Sequence, residues 1–171
     1  MRQFSQIGIL GLAIALVSDC TGAEFAEFTS AEGKFKAMMP GTPKEKTRTV
    51  GGIAFESYTV EQQNGAYLAA FADLPIPDGE SEEQTQTRLD GSRDGMVQAI
   101  GGTLTSSSKI TLKGKQPGRE ILASLPDNKG IVRARVYMVG KRLYQVQAIG
   151  TKSWVESAES TKFLDSLSLA P

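Results

Sequence analysis

The chain has 171 residues, of which 40% are hydrophobic and 22% charged, and its formal net charge is zero. These values are ordinary for one globular domain and exclude wholesale disorder. Histidine is absent, and the single cysteine, Cys20, lies near the N-terminus. The residues that follow it therefore cannot form a disulfide, a thiolate zinc site, or a Ser-His-Asp or Cys-His catalytic centre.

The first 23 residues have the layout of a signal peptide. Arg2 supplies a positive charge, and residues 7–17 form an uncharged apolar run of 11 residues. A run of that length suits the hydrophobic region of a signal peptide and is too short to span a bilayer core of roughly 30 Å. We therefore predict a signal peptide at 1–23, a single domain at 24–171, and a periplasmic, secreted or envelope-anchored protein.

Two processing routes for this segment stay open. Cleavage after Ala23 would place small residues, Thr21 and Ala23, at the two positions that a signal peptidase reads. Lipid attachment at Cys20 is the alternative, because residues 16–20 resemble a lipobox, although Asp19 departs from its pattern. A third outcome is an uncleaved anchor.

The next 50 residues carry the pattern of β-hairpins. A turn at 30–33 separates two short strands within 25–39, and Asn64-Gly65 is a strong hairpin signal. The nearly continuous apolar run that follows predicts a strand buried on both faces. The predicted strands of this half, after the first pair, are 44–50, 53–62 and 66–74.

A helix follows from Ser81, which with Gln84 forms a capping box, to Ile100. Further strands are predicted at 104–112, a Ser/Thr-rich edge strand, and at 118–124, 131–139 and 143–149. A last helix is predicted to begin at Ser153, with Glu156 completing a second capping box. The fold class is α+β: a mainly antiparallel sheet of about six to seven strands in hairpins, with a mid-chain and a C-terminal helix packed on it.

Four short segments, 33–36, 39–43, 142–146 and 163–167, resemble the beginning and end of small exported domains of the PsbP-like group. The resemblance implies an antiparallel sheet between helices and spans most of 25–169. The wider fold group includes photosystem accessory subunits and a Ran-binding nuclear-import factor, so it assigns no activity and no functional residue to this chain. The chain is also similar to uncharacterised secreted proteins of planctomycete-type bacteria.

Charge is unevenly distributed along the domain. Residues 24–100 hold 13 acidic and 7 basic side chains, whereas 101–171 hold 11 basic and 5 acidic. Such asymmetry is typical of a binding face, although charges that mix on one surface give the same count. The candidate binding face in the basic half consists of Arg119, Arg133, Arg135, Lys141 and Arg142. We expect a protein or an anionic envelope component as partner, and membrane contact only through the N-terminal segment or a lipid.

Other patterns favour less specific interpretations. The acidic residues Asp78, Glu80, Glu82 and Glu83 have calcium-type ligands but lack EF-hand spacing, and acidic residues are common at a helix N-terminus. No phosphate-binding glycine motif is present, so no cofactor is expected. Aromatic residues are only 7% of the chain, which argues against a nucleic-acid partner.

The sequence thus predicts an exported, non-catalytic accessory or binding module with no catalytic, cofactor-binding or metal-binding residue. The alternative is an enzyme that uses carboxylate or Ser/Lys chemistry. It would need Asp73 or Asp90 to converge with Arg119 or Lys109, or the serines 106–108 to act with Lys109.

Overall fold

The structure, a computed structural model, describes residues 24–170. The signal peptide at 1–23 and the lipid-attachment candidate Cys20 lie outside the described residues. In chain order the strands are β1 (Ala26–Ser30), β2 (Phe35–Met39), β3 (Lys44–Val50), β4 (Ile53–Gln62), β5 (Gly65–Asp73), β6 (Thr103–Leu112), β7 (Gln116–Ser124), β8 (Ile131–Val139), β9 (Arg142–Gly150) and β10 (Ser168–Leu169). The helices are α1 (Glu82–Ala99), α2 (Lys152–Val155) and α3 (Ala158–Asp165), with a 3-10 turn at Pro126–Asn128.

Seven strands form one antiparallel sheet in the order β3-β4-β5-β9-β8-β7-β6. The pairing of β5 with β9, from Gly65↔Gly150 to Asp73↔Arg142, joins the hairpins of the two halves of the chain. The predicted α+β class and the sheet of six to seven antiparallel strands are confirmed. The Ser/Thr-rich strand β6 lies at one edge of this main sheet, as predicted, and β3 lies at the other.

A second, three-stranded sheet with the order β1-β2-β10 covers part of the main sheet. The sequence does not predict it as a separate layer, because its first two strands read like any other hairpin. Strand β10 has only two residues, paired with Lys36 and Phe35, and so leaves no periodic signal. The small sheet buries Phe35 and Met39 completely against the main sheet.

Two apolar cores lie on opposite faces of the main sheet. The small sheet, α2 and α3 enclose the first, which is rich in aromatic side chains: Phe35, Tyr58, Tyr67, Phe71, Tyr137, Tyr144 and Phe163. Helix α1 closes the second over Leu89 and Met96, which pack with aliphatic residues of β7 and β8. The alternation of β8, with Val132 and Val136 on one face and Arg133 and Arg135 on the other, places that strand between the two cores.

Helix α1 begins where the capping box predicts. The Gln84 amide donates to the Ser81 hydroxyl oxygen at 3.2 Å, and the Ser81 amide donates to Gln84 Oε1 at 2.8 Å. The cap satisfies two amide groups that a helix N-terminus otherwise leaves unpaired.

No helix within residues 24–170 has the length and apolar character needed to cross a membrane.

The predicted C-terminal helix is wrong in its start and its continuity. Two helices replace it, and Ser153 lies inside α2 rather than at its cap. Ser157 caps α3 instead, accepting a hydrogen bond from the Ser160 amide at 3.2 Å. The break lets Trp154 and Phe163 both pack on Tyr67, at ring-centroid distances of 4.5 Å and 4.8 Å. Tertiary packing of aromatic rings thus overrides the local helix pattern.

Candidate functional site

Arg133 and Arg135 lie side by side on one face of β8, as the alternation predicts. Arg133 donates two hydrogen bonds to Glu120 Oε1, at 2.8 Å and 3.0 Å, and a third to the Thr161 hydroxyl at 3.0 Å. Arg135 donates to Asp165 Oδ1 at 2.5 Å. Both guanidinium groups are therefore compensated by carboxylates and tie β8 to β7 and α3.

Arg142 forms the most extensive ion pair of the predicted face. Its Nε and Nη2 each donate to one oxygen of Asp73 at 2.6 Å, and its Nη1 donates to the Glu32 carbonyl oxygen at 2.7 Å. The guanidinium carbon lies 4.8 Å from the centre of the Phe71 ring. The paired hydrogen bonds raise the pKa of Arg142 and lower that of Asp73, so both groups stay charged at neutral pH.

Arg119 does not share a surface with Arg133 and Arg135. It lies on the α1 face of β7, only 4% exposed, and its Nε donates to Asp90 Oδ1 at 2.8 Å. A further hydrogen bond joins it to the Gln86 side chain. Because Arg133 lies on the opposite face, the main sheet separates the two guanidinium groups. This buried arginine anchors α1 to the sheet.

Lys141 and the acidic segment 78–83 border a cleft beside the start of α1. Lys141 Nζ lies 3.0 Å from Asp78 Oδ1, and Glu80 Oε1 lies 2.5 Å from Arg88. Two adjoining cavities here have volumes of about 250 Å³ and 580 Å³. Within residues 24–170, no group of three or more carboxylate side chains is positioned to hold a metal ion.

One of the pairs that an enzyme would need does form, since Asp90 meets Arg119 in a direct ion pair. Asp73 pairs with Arg142 instead of with Arg119 or Lys109. Hydrogen bonds from the arginines lower the pKa of both carboxyl groups. A carboxylate of lowered pKa that already accepts a guanidinium is a weak proton acceptor near neutral pH. These pairs therefore suit structural anchoring better than acid–base chemistry.

The sequence interpretation missed a second set of cations, on the edge strand β3. All seven residues of this strand are exposed. Lys44, Lys46 and Arg48 point to the same face because successive side chains of a strand alternate. Lys44 lies 3.7 Å from Glu61, whereas Lys46 and Arg48 form no ion pair with any residue in 24–170. We call these three residues the β3 cationic row; the alternation at 44–48 was its signal.

The β3 cationic row borders the part of the main sheet that α1 does not cover. Helix α1 packs on β6, β7 and β8. On the same face, a line of directly paired residues runs from Lys44 through Thr59 and Leu68 to Gln147. Ser57, Thr59, Leu68, Gln145 and Gln147 are only half-buried, and we call them the open half-face. The Gln147 Oε1 atom is buried there without a partner among the described residues.

Comparison with known proteins identifies the fold. No family model matches the sequence, and no curated protein matches it. Among solved structures, 12 chains match. One is the solution structure of cyanobacterial PsbP (CyanoP) from Synechocystis sp. PCC 6803, with a TM-score of 0.63 and 9% sequence identity over 96% of this chain and 98% of that chain. The chain therefore has a PsbP-like fold, as the resemblance of the sequence implies, and the likeness shows the fold alone.

Proposed function

We propose that the chain is an exported, non-catalytic module that binds an acidic partner through the β3 cationic row and the open half-face. The observation that carries the proposal is the distribution of paired and unpaired cations. Arg119, Arg133, Arg135, Lys141 and Arg142 each have a carboxylate oxygen within 3.0 Å. Lys46 and Arg48 have none within residues 24–170 and, unlike the other lysines without an ion pair, they alternate on one face of an edge strand.

The difference matters because a partner must compete with whatever a cation already binds. Drawing Arg142 away from Asp73 would break two charge-assisted hydrogen bonds and leave the carboxylate unpaired. Lys46 and Arg48 are exposed and lose only water when an anion approaches. Charges of this kind accelerate encounter with an oppositely charged surface and select against cationic ones. The proposed binding surface is therefore β3 rather than the arginine face of β8.

The accessory role also draws on the fold. The wider fold group that the chain resembles includes accessory subunits of photosystems. At 9% identity the likeness to CyanoP transfers no partner. The likeness is compatible with an accessory module and assigns it no activity.

Export is part of the same proposal. The first described strand, β1, begins at Ala26, shortly after the predicted signal peptide. Cleavage after Ala23 or lipid attachment at Cys20 would leave every described strand intact. Mass spectrometry of the protein purified from its source cells should find a free N-terminus at Glu24 or diacylglycerol on Cys20. An intact Met1 in the cytosolic fraction would overturn the proposed export.

The binding surface is tested by charge reversal in the full chain. Chemical cross-linking in the envelope fraction, followed by identification of the captured protein, should give one partner with an acidic surface. The Lys46→Glu/Arg48→Glu variant should lose it. The matched control is Lys109→Glu/Lys113→Glu, which makes the same charge change among exposed residues at the opposite edge of the sheet and should keep the partner.

Two results would contradict the proposal. One is capture that is equal in the wild type and both charge-reversal variants. The other is loss of the partner in an Arg133→Glu/Arg135→Glu variant while the Lys46→Glu/Arg48→Glu variant still binds it. That result would place the binding surface on the face of β8 that carries Arg133 and Arg135. Circular dichroism of each variant verifies that it is folded.

A further inference from the structure

We infer that an extended acidic segment of the partner pairs with β3 and becomes an eighth strand of the main sheet. This inference rests on the proposed function and names its binding mode. The segment would carry a carboxylate at every second position. Addition of a strand to a sheet edge supplies main-chain hydrogen bonds for affinity, while the alternate side chains supply selectivity.

Strand β3 has the backbone that such pairing needs. Within residues 24–170 it pairs only with β4, in an uninterrupted register from Lys44↔Thr59 to Val50↔Ile53. Its outer edge therefore presents the unpaired amide and carbonyl groups of every second residue along the strand. No proline interrupts it, since Pro43 precedes its first residue. The other edge strand, β6, has a register shift between Leu104 and Ser106, which distorts it as a template.

The spacing of the cations selects the sequence of the added strand. Lys44, Lys46 and Arg48 stand on one face about 6.6 Å apart, at roughly 3.3 Å per residue. A carboxylate at every second position of a paired strand would lie opposite each of them. The other face of β3 carries Glu45 and two threonines. An acidic residue opposite Glu45 would be repelled, so the intervening residues should be polar and uncharged or basic.

The same cations explain why β3 does not pair with arbitrary strands. Lysine on an exposed edge is a common protection against aggregation, because burial of the charge in a new sheet is costly. An acidic strand removes that cost by providing the opposite charge. The β3 cationic row therefore admits one class of strand and excludes others.

An anionic membrane is the less favoured occupant of this surface. Surface binding to a bilayer needs apolar side chains beside the cations. Val50, which follows Arg48 on the same face of β3, supplies one such side chain at 50% exposure, whereas Leu104, at 37%, belongs to the opposite edge of the sheet. Glu61 also lies beside the β3 cationic row, 3.7 Å from Lys44, and repels lipid phosphates.

Titration with synthetic peptides tests strand addition directly. The probe is a peptide of about nine residues, long enough to cover β3, with glutamate alternating with threonine. A control peptide has the same composition with the glutamates in one block. The alternating peptide should bind at low salt and protect β3 backbone amides from hydrogen exchange. The Lys46→Glu/Arg48→Glu variant should bind this peptide at least about tenfold more weakly than the wild type does. The Lys109→Glu/Lys113→Glu variant should bind it with unchanged affinity.

Each other outcome overturns the inference. Equal binding of both peptides would mean that charge, and not strand pairing, drives association. Absence of amide protection in β3 would exclude an added strand, and preferential binding to phosphatidylglycerol vesicles would favour a membrane. If neither peptide binds while the cross-linked partner still depends on Lys46 and Arg48, strand addition fails and the proposed function stands. If no partner depends on them, the proposed function fails as well.

Discussion

The Tyr144 hydroxyl donates a hydrogen bond to the Gly33 carbonyl oxygen at 2.8 Å, across 111 residues of sequence. This buried contact joins β9, at the centre of the main sheet, to the turn between β1 and β2. Gly33 lies against the Phe35 ring so closely that a Cβ atom would lie 2.6 Å from it. The bond therefore ties the small sheet to the aromatic core of the main sheet.

Removal of this hydroxyl should destabilise the fold without disturbing the core. We expect Tyr144→Phe to lower the free energy of unfolding by about 1–3 kcal/mol, because the buried Gly33 carbonyl loses its partner. Tyr58→Phe is the comparison, since the Tyr58 hydroxyl accepts from Ser30, whose own oxygen still receives the Gly33 amide. Urea denaturation should show the smaller loss for Tyr58→Phe. Equal losses would contradict the special role of the Tyr144 contact.

Glu56 should make the stability depend on pH. Burial raises its pKa above the ordinary 4.5, and the nearby negative charges of Glu32 and Glu45 raise it further, while Arg142 lowers it. Its Oε2 atom is buried without a partner among residues 24–170. A carboxyl with a raised pKa favours the folded state when protonated. That contribution is full at low pH and is lost as the pH rises from about 4.5 through the raised pKa.

The Glu56→Gln variant should therefore gain about 1 kcal/mol at pH 7, because it removes the buried charge and the repulsion. Well below pH 4.5, where Glu56 is protonated in both folded and unfolded chains, the gain should vanish. Thermal unfolding at several pH values measures the gain at pH 7 and its loss at low pH. A gain of about 1 kcal/mol corresponds to a rise of about 2–4 °C in the unfolding temperature of a chain of this size. Glu24→Gln, at an exposed position outside the strands, is the control. A gain that is equal at both pH values would refute the proposed titration.

Because Arg119 is buried, its partner Asp90 should be necessary for the full stability of the fold. Asp90→Asn leaves a nearly buried guanidinium without its carboxylate and should cost about 1–2 kcal/mol, less than for a fully buried pair because the Asp90 side chain is 41% exposed. A hydrogen bond from Arg119 lowers the pKa of Asp90 below 3.8. The stabilisation is therefore full above about pH 4 and is lost as the pH falls through the lowered value.

Measurement of the free energy of unfolding as the pH is lowered tests the Asp90–Arg119 ion pair. The wild type should lose stability more steeply below pH 4 than Asp90→Asn. Asp94→Asn serves as control, because Asp94 is a solvent-exposed carboxylate on the same helix, paired with Arg93. It should leave the midpoint of unfolding unchanged. The anchoring role of Arg119 is excluded if Asp94→Asn and Asp90→Asn have the same effect.

The sequence predicts the features of this fold that arise from neighbouring residues. Ser81 and Gln84 are three positions apart, so their capping box is visible in the sequence, and the alternation of β8 identifies its two faces. The break at Ser157 is not visible, because Ser153 and Ser157 are both good capping residues. Their competition is decided by Tyr67, which is distant in sequence and packs against Trp154 and Phe163.

The candidate site depends on strand order, which local patterns do not encode. The alternating cations at 44–48 are plain in the sequence, but their exposure follows from the position of β3 at the sheet edge. Arg119 was grouped with Arg133 because the two strands are neighbours. Its placement on the opposite face follows from the register, in which Arg119 is paired with Val136 and Glu120 with Arg135. A shift of one residue would have reversed the assignment.

Two glycines should respond in opposite ways to alanine. Gly91 lies on α1 with open space where a Cβ would stand, so Gly91→Ala should stabilise the fold by up to about 1 kcal/mol through helix propensity. Gly118 lies in β7, where a Cβ would come within 2.5 Å of the Tyr137 ring and of the Val136 carbonyl oxygen. Gly118→Ala should therefore destabilise it by about 1–3 kcal/mol, as overpacking of a closed core does. Urea denaturation should show a higher free energy of unfolding for Gly91→Ala and a lower one for Gly118→Ala. An unchanged free energy of unfolding in Gly118→Ala would mean that β7 and β8 are less tightly packed than the distances at Gly118 indicate.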